Sequence, residues 1–321
     1  MVHAFIFPGQ GSQAVGMGRD LAGAFPAARE VFQEIDDALG QNLSRLMFEG
    51  PTETLTLTEN AQPALMAVSL AALRVLEREG GLVLADRVAA VAGHSLGEYS
   101  ALAAARALDV AATAKLLRLR GAAMQRCVAP GEGAMAALLG VDLDAAEAIC
   151  AAAAEGPDGR PETREVVQPA NDNGGGQVVI SGHAEAVARA MAEAKARGKR
   201  AMKLPVSAPF HCALMAPAAD AMAEALAHAT LMPPVVPLIA NVTAAKATDP
   251  AMIRELLVRQ VTGTVRWRES VLAMLALGVD SFVELGAGKV LSGLVRRIAP
   301  AETAINAAGT PAEIEALLKL L

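Results

Sequence analysis

Aromatic residues are scarce in this chain: one Trp, one Tyr and seven Phe among 321 residues. A core built from this sequence has to be aliphatic, made of Ala, Leu, Val and Met. A basic excess is also missing. There are 28 Lys+Arg against 34 Asp+Glu, a net charge of −6, whereas nucleic-acid binding needs a basic surface to neutralise phosphates. Cysteine is nearly absent. Cys127, Cys150 and Cys212 are odd in number and form no C-x-x-C pair, so neither a disulfide framework nor a metal site is expected, and they read as small buried hydrophobes. No run reaches the ~18 apolar residues of a membrane span. The apolar start, Met1 to Pro8, is too short and lacks the basic residues of a signal peptide. The expectation is a cytoplasmic protein that touches neither nucleic acid nor membrane. What is plentiful is apolar residues, 53% of the total. Together with the modest charge they exclude a disordered chain. The length suits one large domain, or a large domain with a smaller one inserted.

Strand and helix signals alternate from the start, which predicts an α/β fold with a parallel sheet covered by helices. Ala4–Phe7 reads as a buried strand that stops at Pro8-Gly9. Helical patterns follow, one opening near Asn60-Ala61-Gln62-Pro63. Arg87–Ala92 is the next strand, followed by a tight turn and two helices. The middle of the chain has a different rhythm. Strands at Ala134–Gly140, Glu165–Ala170, Gln177–Ser181 and Arg200–Pro205, with helices at Asp142–Ala154 and Ala184–Ala196, give the order β-α-β-β-α-β. That order is the ferredoxin-like signature. The predicted division is a core of residues 1–128 and 200–321 with a ferredoxin-like insertion at 129–199. Within the insertion, Glu155-Gly-Pro-Asp-Gly-Arg-Pro-Glu162 reads as a surface loop. Val235–Asn241 and Ser281–Leu285 are further strands, and Thr310-Pro311-Ala312-Glu313 has the features of a helix start.

Two tempting motifs fail on context. Gly9-Gln10-Gly11-Ser12-Gln13-Ala14 fits a loose dinucleotide pattern. It is preceded by Pro8, however, and no strand ending in an acidic residue follows about 20 residues on. Gly286-Ala287-Gly288-Lys289 resembles a phosphate loop, but Val283 stands where the first Gly is required and Val290 replaces Ser/Thr.

Gly93-His94-Ser95-Leu96-Gly97 has both the pattern and the setting of a nucleophile elbow: G-x-S-x-G between a strand and a helix. Glycines on either side of the serine let strand and helix pass closely. The Ser95 hydroxyl would be presented beside a helix N-terminus, and the Leu96 N–H would become a donor for an oxyanion. The bland alternative is an ordinary turn with a capping serine. A serine nucleophile needs a histidine base, and there are five histidines. His94, on the elbow itself, is expected to point its ring elsewhere. His211, in Ser207-Ala208-Pro209-Phe210-His211-Cys212, lies in a loop after a strand, and the order Ser before His suits it; a structural histidine remains the alternative. On the helix Val110–Gln125, Arg120 shares a face with Leu116 and Met124, whereas Arg118 points towards water. A cation on an apolar face needs an anion or many acceptors. It reads equally as an internal ion pair or a snorkelling side chain, or as a fork for a substrate carboxylate.

Four segments then occur in one order: Phe7-Pro8-Gly9-Gln10-Gly11-Ser12-Gln13, Gly93-His94-Ser95-Leu96-Gly97-Glu98-Tyr99, Gln177-Val178-Val179-Ile180-Ser181-Gly182 and Pro209-Phe210-His211. Together they resemble the malonyl-CoA:acyl carrier protein transacylases, the acyltransferase family of bacterial fatty acid synthesis, whose fold also supplies the acyltransferase domains of polyketide synthases. The resemblance covers nearly the whole chain. It implies an α/β-hydrolase-like core with a ferredoxin-like insertion, and transfer of a malonyl group to a carrier thiol through a serine ester, with no metal or redox cofactor. It implies Ser95 as nucleophile, His211 as base and Gln260 as the residue whose backbone carbonyl orients the histidine in place of an acid. Gln10 and Leu96 fall at the oxyanion-hole amides and Arg120 at the malonyl carboxylate. Asn171 and Asn173 resemble loop asparagines near the cleft. Phe210 is a departure, because many stand-alone members carry Ser there. In the polyketide domains Phe at this place accompanies malonyl rather than methyl-branched substrates. The loop at 155–164 looks longer than usual.

The implied partners are malonyl-CoA and acyl carrier protein, with the chain acting as a monomer. An acidic carrier meeting an acidic protein requires a local basic patch. Lys195, Arg197, Lys199, Arg200, Arg296 and Arg297 are the candidates. The rival readings are a serine thioesterase or esterase, the malonyltransferase subunit of a malonate decarboxylase, and a carrier-binding module without catalysis.

Overall fold

The computed structural model describes residues 1–155 and 165–320. Beyond Glu155, the loop expected at 155–164 lies outside the described residues. The strands among them are β1 (His3–Phe7), β2 (Val88–Gly93), β3 (Gly133–Leu139), β4 (Val167–Gly174), β5 (Gln177–His183), β6 (Arg200–Lys203), β7 (Leu238–Ile239), β8 (Lys246–Ala247), β9 (Ser281–Leu285) and β10 (Ala304–Ala308). They form two sheets. The larger has the order β10-β9-β1-β2-β7-β8 and the smaller β4-β5-β3-β6. All pairs in the larger sheet are parallel except β7 with β8, and the smaller sheet is antiparallel throughout.

The inner strands of the large sheet are covered on both faces, which is why they read as unbroken apolar runs. Successive side chains leave on opposite faces. Phe5, Phe7 and Val91 enter one core with Val31 and Phe32, while Ala4, Ile6, Ala90 and Ala92 enter another with Trp267 and Phe282. Most of the core is aliphatic, as the composition requires, and the few aromatics are concentrated in it. Trp267, Tyr99, Phe5, Phe7 and Phe282 are all fully buried.

The same alternation explains how the small sheet builds a wall. On β3, Ala134, Ala136 and Leu138 pack into a separate core with Ile149 and Ala190 from the helices Leu143–Ala154 and Ala184–Ala196. Met135 and Ala137, facing the other way, join the main core with Val179 of β5. The expected boundary at 199 falls ahead of the strand that completes this sheet. Arg200–Lys203 pairs with β3, and the Leu204 N–H continues the ladder to Met135 O at 2.9 Å.

Three local features differ from the expectation. β4 runs on to Gly174, so Asn171 and Asn173 lie on a strand rather than in a loop. Irregular register between Pro169 and Asn171, and again between Asp172 and Gly174, lets polar residues continue a strand there. β4 is also stitched to the main body, since Val265 N–H donates to Ala170 O and Asp172 N–H to Val265 O. The long helix Thr58–Gly80 starts before Asn60, because Leu57 O accepts from both Asn60 N–H and Ala61 N–H, and it carries Pro63 inside it. Arg118, expected to face water, is half-buried. The helix Pro311–Leu318 opens with the expected box between Thr310 and Glu313. Among the described residues, no helix is long and apolar enough to cross a membrane, and no group of three or more His, Cys, Asp or Glu could hold a metal ion.

Candidate active site

The site is built where β2 ends. His94 N–H donates to Phe7 O at 3.0 Å, which ties the turn to the neighbouring strand β1. Ser95 follows with φ +54°, a left-handed conformation that costs a non-glycine residue energy. The helix Gly97–Ala104 starts two residues later. Gly93 and Gly97 make this possible. A Cβ on Gly93 would strike the Gly97 backbone, and one on Gly97 would strike the Phe7 carbonyl. The turn is held by Asn241, just past β7. Its Oδ1 accepts from Ser95 N–H at 2.9 Å, and its Nδ2 donates to Gly93 O at 2.7 Å.

Ser95 Oγ lies 2.7 Å from His211 Nε2. On the far side of the ring, Nδ1 is 2.9 Å from the Gln260 backbone carbonyl, an acceptor. Nδ1 therefore carries the proton, Nε2 is free to accept, and the Ser95 hydroxyl donates to it. His211 also has a positive φ of 59°. Burial, and then the nearby Arg120 charge, push its pKa down to about 3, so the imidazole is neutral and available.

Arg120 is buried beside the same hydroxyl. Its Nη2 donates to Ser95 Oγ at 3.2 Å and to Gln260 Oε1 at 2.8 Å, and its Nη1 donates to Gln62 Oε1 at 3.0 Å. The guanidinium carbon is 5.7 Å from the centre of the Tyr99 ring. Among the described residues, its Nε has no partner and no carboxylate lies within ion-pair distance. The internal ion-pair alternative is therefore not realised by direct contact. What the structure leaves is a buried cation held by neutral acceptors.

These groups open on a cleft of about 860 Å³ between the two sheets' units. Gln10, Leu96, Phe210, Asn171 and Asn173 line it together with Ser95, His211 and Arg120. Among the described residues, neither the Gln10 nor the Leu96 amide donates to a protein acceptor. Gln260 stands behind the cleft wall, fully buried. The His94 ring is directed away from the serine hydroxyl, to Asn173 Oδ1 at 3.0 Å, although the residue still lines the same cleft. Of the other histidines, His183 Nδ1 accepts from Val166 N–H, His3 lies on β1 and His228 ends a helix, so none reaches the serine.

Three residues of this network escaped the sequence reading. Gln62 is one of several buried polar groups on its helix, with Thr58, Asn60 and Ser69, and nothing in its spacing singles it out. Asn241 sits just beyond the carboxyl end of a parallel strand, where α/β sheets gather their sites. Glu98, at the second position of the helix after the elbow, is completely buried, and it accepts from Gln260 Nε2 at 2.6 Å. Burial pushes its pKa up to about 7, against the opposing pull of its hydrogen bonds and of Arg120.

Comparison with known proteins adds the family. The model of the acyl transferase domain matches residues 4–308. The malonyl CoA-acyl carrier protein transacylase of Escherichia coli (strain K12) is 48% identical over 318 residues, 99% of both chains. The crystal structure of an acyl-carrier-protein S-malonyltransferase from Bartonella henselae superposes with a TM-score of 0.94 at 55% identity, covering 100% of this chain and 99% of that one. A malonyl-transacylase solved in complex with a type II polyketide acyl-carrier protein gives a TM-score of 0.93 at 41% identity, with 100% of both chains covered. Ser95, His211 and the buried Arg120 thus sit in a chain that belongs to the acyl transferase family and, within it, to the malonyl CoA-acyl carrier protein transacylases.

Proposed function

We propose that this enzyme moves a malonyl group from malonyl-CoA to the phosphopantetheine thiol of an acyl carrier protein by way of a malonyl-Ser95 ester. One observation carries the reading: a single hydroxyl, Ser95 Oγ, touches both a neutral imidazole at 2.7 Å and a buried guanidinium at 3.2 Å. The nucleophile, its base and a group able to hold a carboxylate thus meet at one atom.

The steps follow from the geometry. The malonyl carboxylate takes up the Arg120 guanidinium in place of the weaker Gln62 and Gln260 oxygens. His211 Nε2 accepts the Ser95 proton as Oγ attacks the thioester carbonyl. The Gln10 and Leu96 amides stabilise the oxyanion, each worth ~3 kcal/mol of barrier. The Gln260 carbonyl steadies the imidazolium through Nδ1–H, the task an acid performs in a triad. His211 then returns the proton to the departing thiolate of coenzyme A. The carrier thiol repeats the sequence in reverse, giving a ping-pong reaction. The proton and the acyl group are both accounted for, so no step calls for a metal or redox cofactor. Phe210, at the cleft wall, narrows the space beside the acyl group and disfavours methyl-branched substrates.

The carrier is assigned to the basic residues near the cleft mouth. Arg297 Nη1 donates to Gln177 Oε1 at 3.2 Å, and Gln177 lines the cleft. Arg200 and Gln177 flank Leu139 from neighbouring strands. Lys195, Lys199 and Arg296 are exposed on the same two segments, whereas Arg197 is paired with Glu193. The relative solved with its carrier supports a carrier as acceptor. The strand orders support an α/β-hydrolase-like core and a ferredoxin-like insertion extending to residue 203. Three unpaired cysteines suit a reducing cytoplasm, and a site completed within one chain suits a monomer.

Incubation with malonyl-CoA, followed by intact-protein mass measurement, tests the reading. The wild type should gain one malonyl group and release it to carrier protein, and Ser95→Ala should gain none. Persistent labelling of that variant would remove Ser95 from the chemistry.

A further inference from the structure

The mechanism above leaves the buried acid beside the reacting groups, Glu98, without a task. Glu98 is wholly enclosed and is bound to the residue that serves both the base and the cation. Gln260 accepts from His211 through its backbone oxygen and from Arg120 through its side-chain oxygen. Its Nε2 has three acceptors in reach for two hydrogens: Glu98 Oε2 at 2.6 Å, Ser95 O at 2.8 Å and Asn241 Oδ1 at 3.3 Å. An ionised carboxylate can only accept. It therefore fixes the amide with nitrogen towards Glu98 and oxygen towards Arg120. Through that one amide the carboxylate and the guanidinium face each other.

The surroundings contain few other charges. The helix Gly97–Ala104 packs against β1, β2 and the helices Thr58–Gly80 and Val110–Arg126. From those elements the charged group that acts on Glu98 is Arg120. Tyr99, on the same helix, is held in its neutral form by burial. His94 and His211, across Ser95, are both kept neutral by burial. His3 lies at the opposite end of β1. Gln260 and Asn241 approach Glu98 as hydrogen-bond donors only.

We infer that Glu98 is a charge-balancing positioning residue: it serves Arg120 as counter-ion through Gln260 while the cleft is empty, and takes up one proton when a malonyl carboxylate takes its place on the guanidinium. The inference rests on the proposed malonyl transfer and deepens it. The balance is simple. Malonyl-CoA, the Ser95 hydroxyl, the Glu98 carboxylate and one proton from solvent give malonyl-Ser95, the free thiol of coenzyme A and neutral Glu98. A buried site that holds one cation then holds one anion before and after loading. Two anions around one buried cation would leave a surplus charge away from water, which is costly. Burial already holds Glu98 near neutrality, and the Arg120 charge is among the forces keeping it ionised. A second carboxylate on Arg120 weakens that force and drives protonation further. An acetyl group, which brings no charge, leaves Glu98 as it was.

The experiment is a proton count. Wild-type enzyme and Glu98→Gln are each loaded stoichiometrically from malonyl-CoA and from acetyl-CoA at pH 7.5, in weak buffer with an indicator dye, and intact mass counts the acyl groups loaded. Ionisation of the released thiol is common to every arm. Wild type should take up most of one proton per malonyl group beyond the acetyl background, and Glu98→Gln should take up none. The ratio of malonyl to acetyl kcat/KM should fall as pH rises from 6.5 to 8.5 in the wild type, by up to about tenfold per unit, and should be flat in the variant. Equal proton counts for malonyl and acetyl in the wild type would overturn the inference, and that arm decides even where Glu98→Gln fails to fold. An unchanged pH slope in a folded Glu98→Gln would overturn it too. Failure of malonyl to load on Ser95 at all would instead remove the proposed function, and this inference with it.

Discussion

Arg120→Ala separates a selectivity device from a structural cation. The guanidinium donates to two amide oxygens and to Ser95 Oγ, at 2.8 to 3.2 Å. A malonyl carboxylate would replace neutral acceptors by a charged one. Charge-assisted bonds are worth roughly 1.5–3 kcal/mol net each. A fork makes two, but the substrate must displace bonds already present, so roughly 3 kcal/mol is the expected differential. At 1.4 kcal/mol per tenfold, kcat/KM for malonyl-CoA should fall about 100-fold. Acetyl-CoA has no carboxylate to lose, and its transfer should stay within about threefold. Steady-state transfer to carrier protein from both donors gives the ratio, and thermal denaturation run alongside separates chemistry from folding. Arg120→Lys, a point charge without the planar fork, should recover only part of the malonyl activity. An equal fall for both donors in a folded Arg120→Ala would refute the reasoning and return the arginine to a packing role.

Asn241→Ala removes both bonds that Asn241 makes to the elbow, leaving the Ser95 amide and the Gly93 carbonyl unpaired. It should cost about 2 kcal/mol or more of stability and slow Ser95 acylation, read by denaturant melts and rapid-quench mass measurement; a neutral result would mean that the turn is held without Asn241, by its glycines and its bonds to Phe7 and Gln260. Arg200→Glu with Arg297→Glu should raise KM for the carrier several-fold, more at low salt, without touching malonyl-CoA; an unchanged carrier KM would reject this docking face. Because burial and Arg120 depress the His211 pKa to about 3, the base stays neutral as pH falls through the ordinary histidine range. Single-turnover acylation by acetyl-CoA should therefore hold its rate from pH 8 to pH 5, and a midpoint near 6.5 would contradict the assigned environment.

The parts of the molecule that could be read from sequence are those where local pattern and tertiary role coincide. The elbow needs glycines next to the serine, and glycines are visible. β1 and β2 are covered on both faces and spell out apolar runs. Arg120 stood out because a charge interrupts an apolar face. What escaped depends on contacts between distant segments. Asn241 acts on Ser95 from 146 residues away, and nothing in its own neighbourhood requires an amide; Gln260, 165 residues away, was named only through the family resemblance, for its backbone carbonyl and not for its side chain. Glu98 looked like any acid in the first turn of a helix, a place where carboxylates are common. Its burial follows from how four elements close over that helix, and no spacing records it. The extent of β4 was missed because bulges let Asn171, Asp172 and Asn173 continue a strand whose polar residues read as a loop.

The two residues proposed to react share a backbone peculiarity. Ser95 and His211 both sit at positive φ without being glycine, each at a cost of order 1–3 kcal/mol. Folding free energy is thus diverted into holding a hydroxyl against an imidazole before any substrate arrives. Glycine at either position would relax the chain while erasing the chemistry. Selection for a hardier protein and selection for a working one therefore pull in opposite directions at these two points.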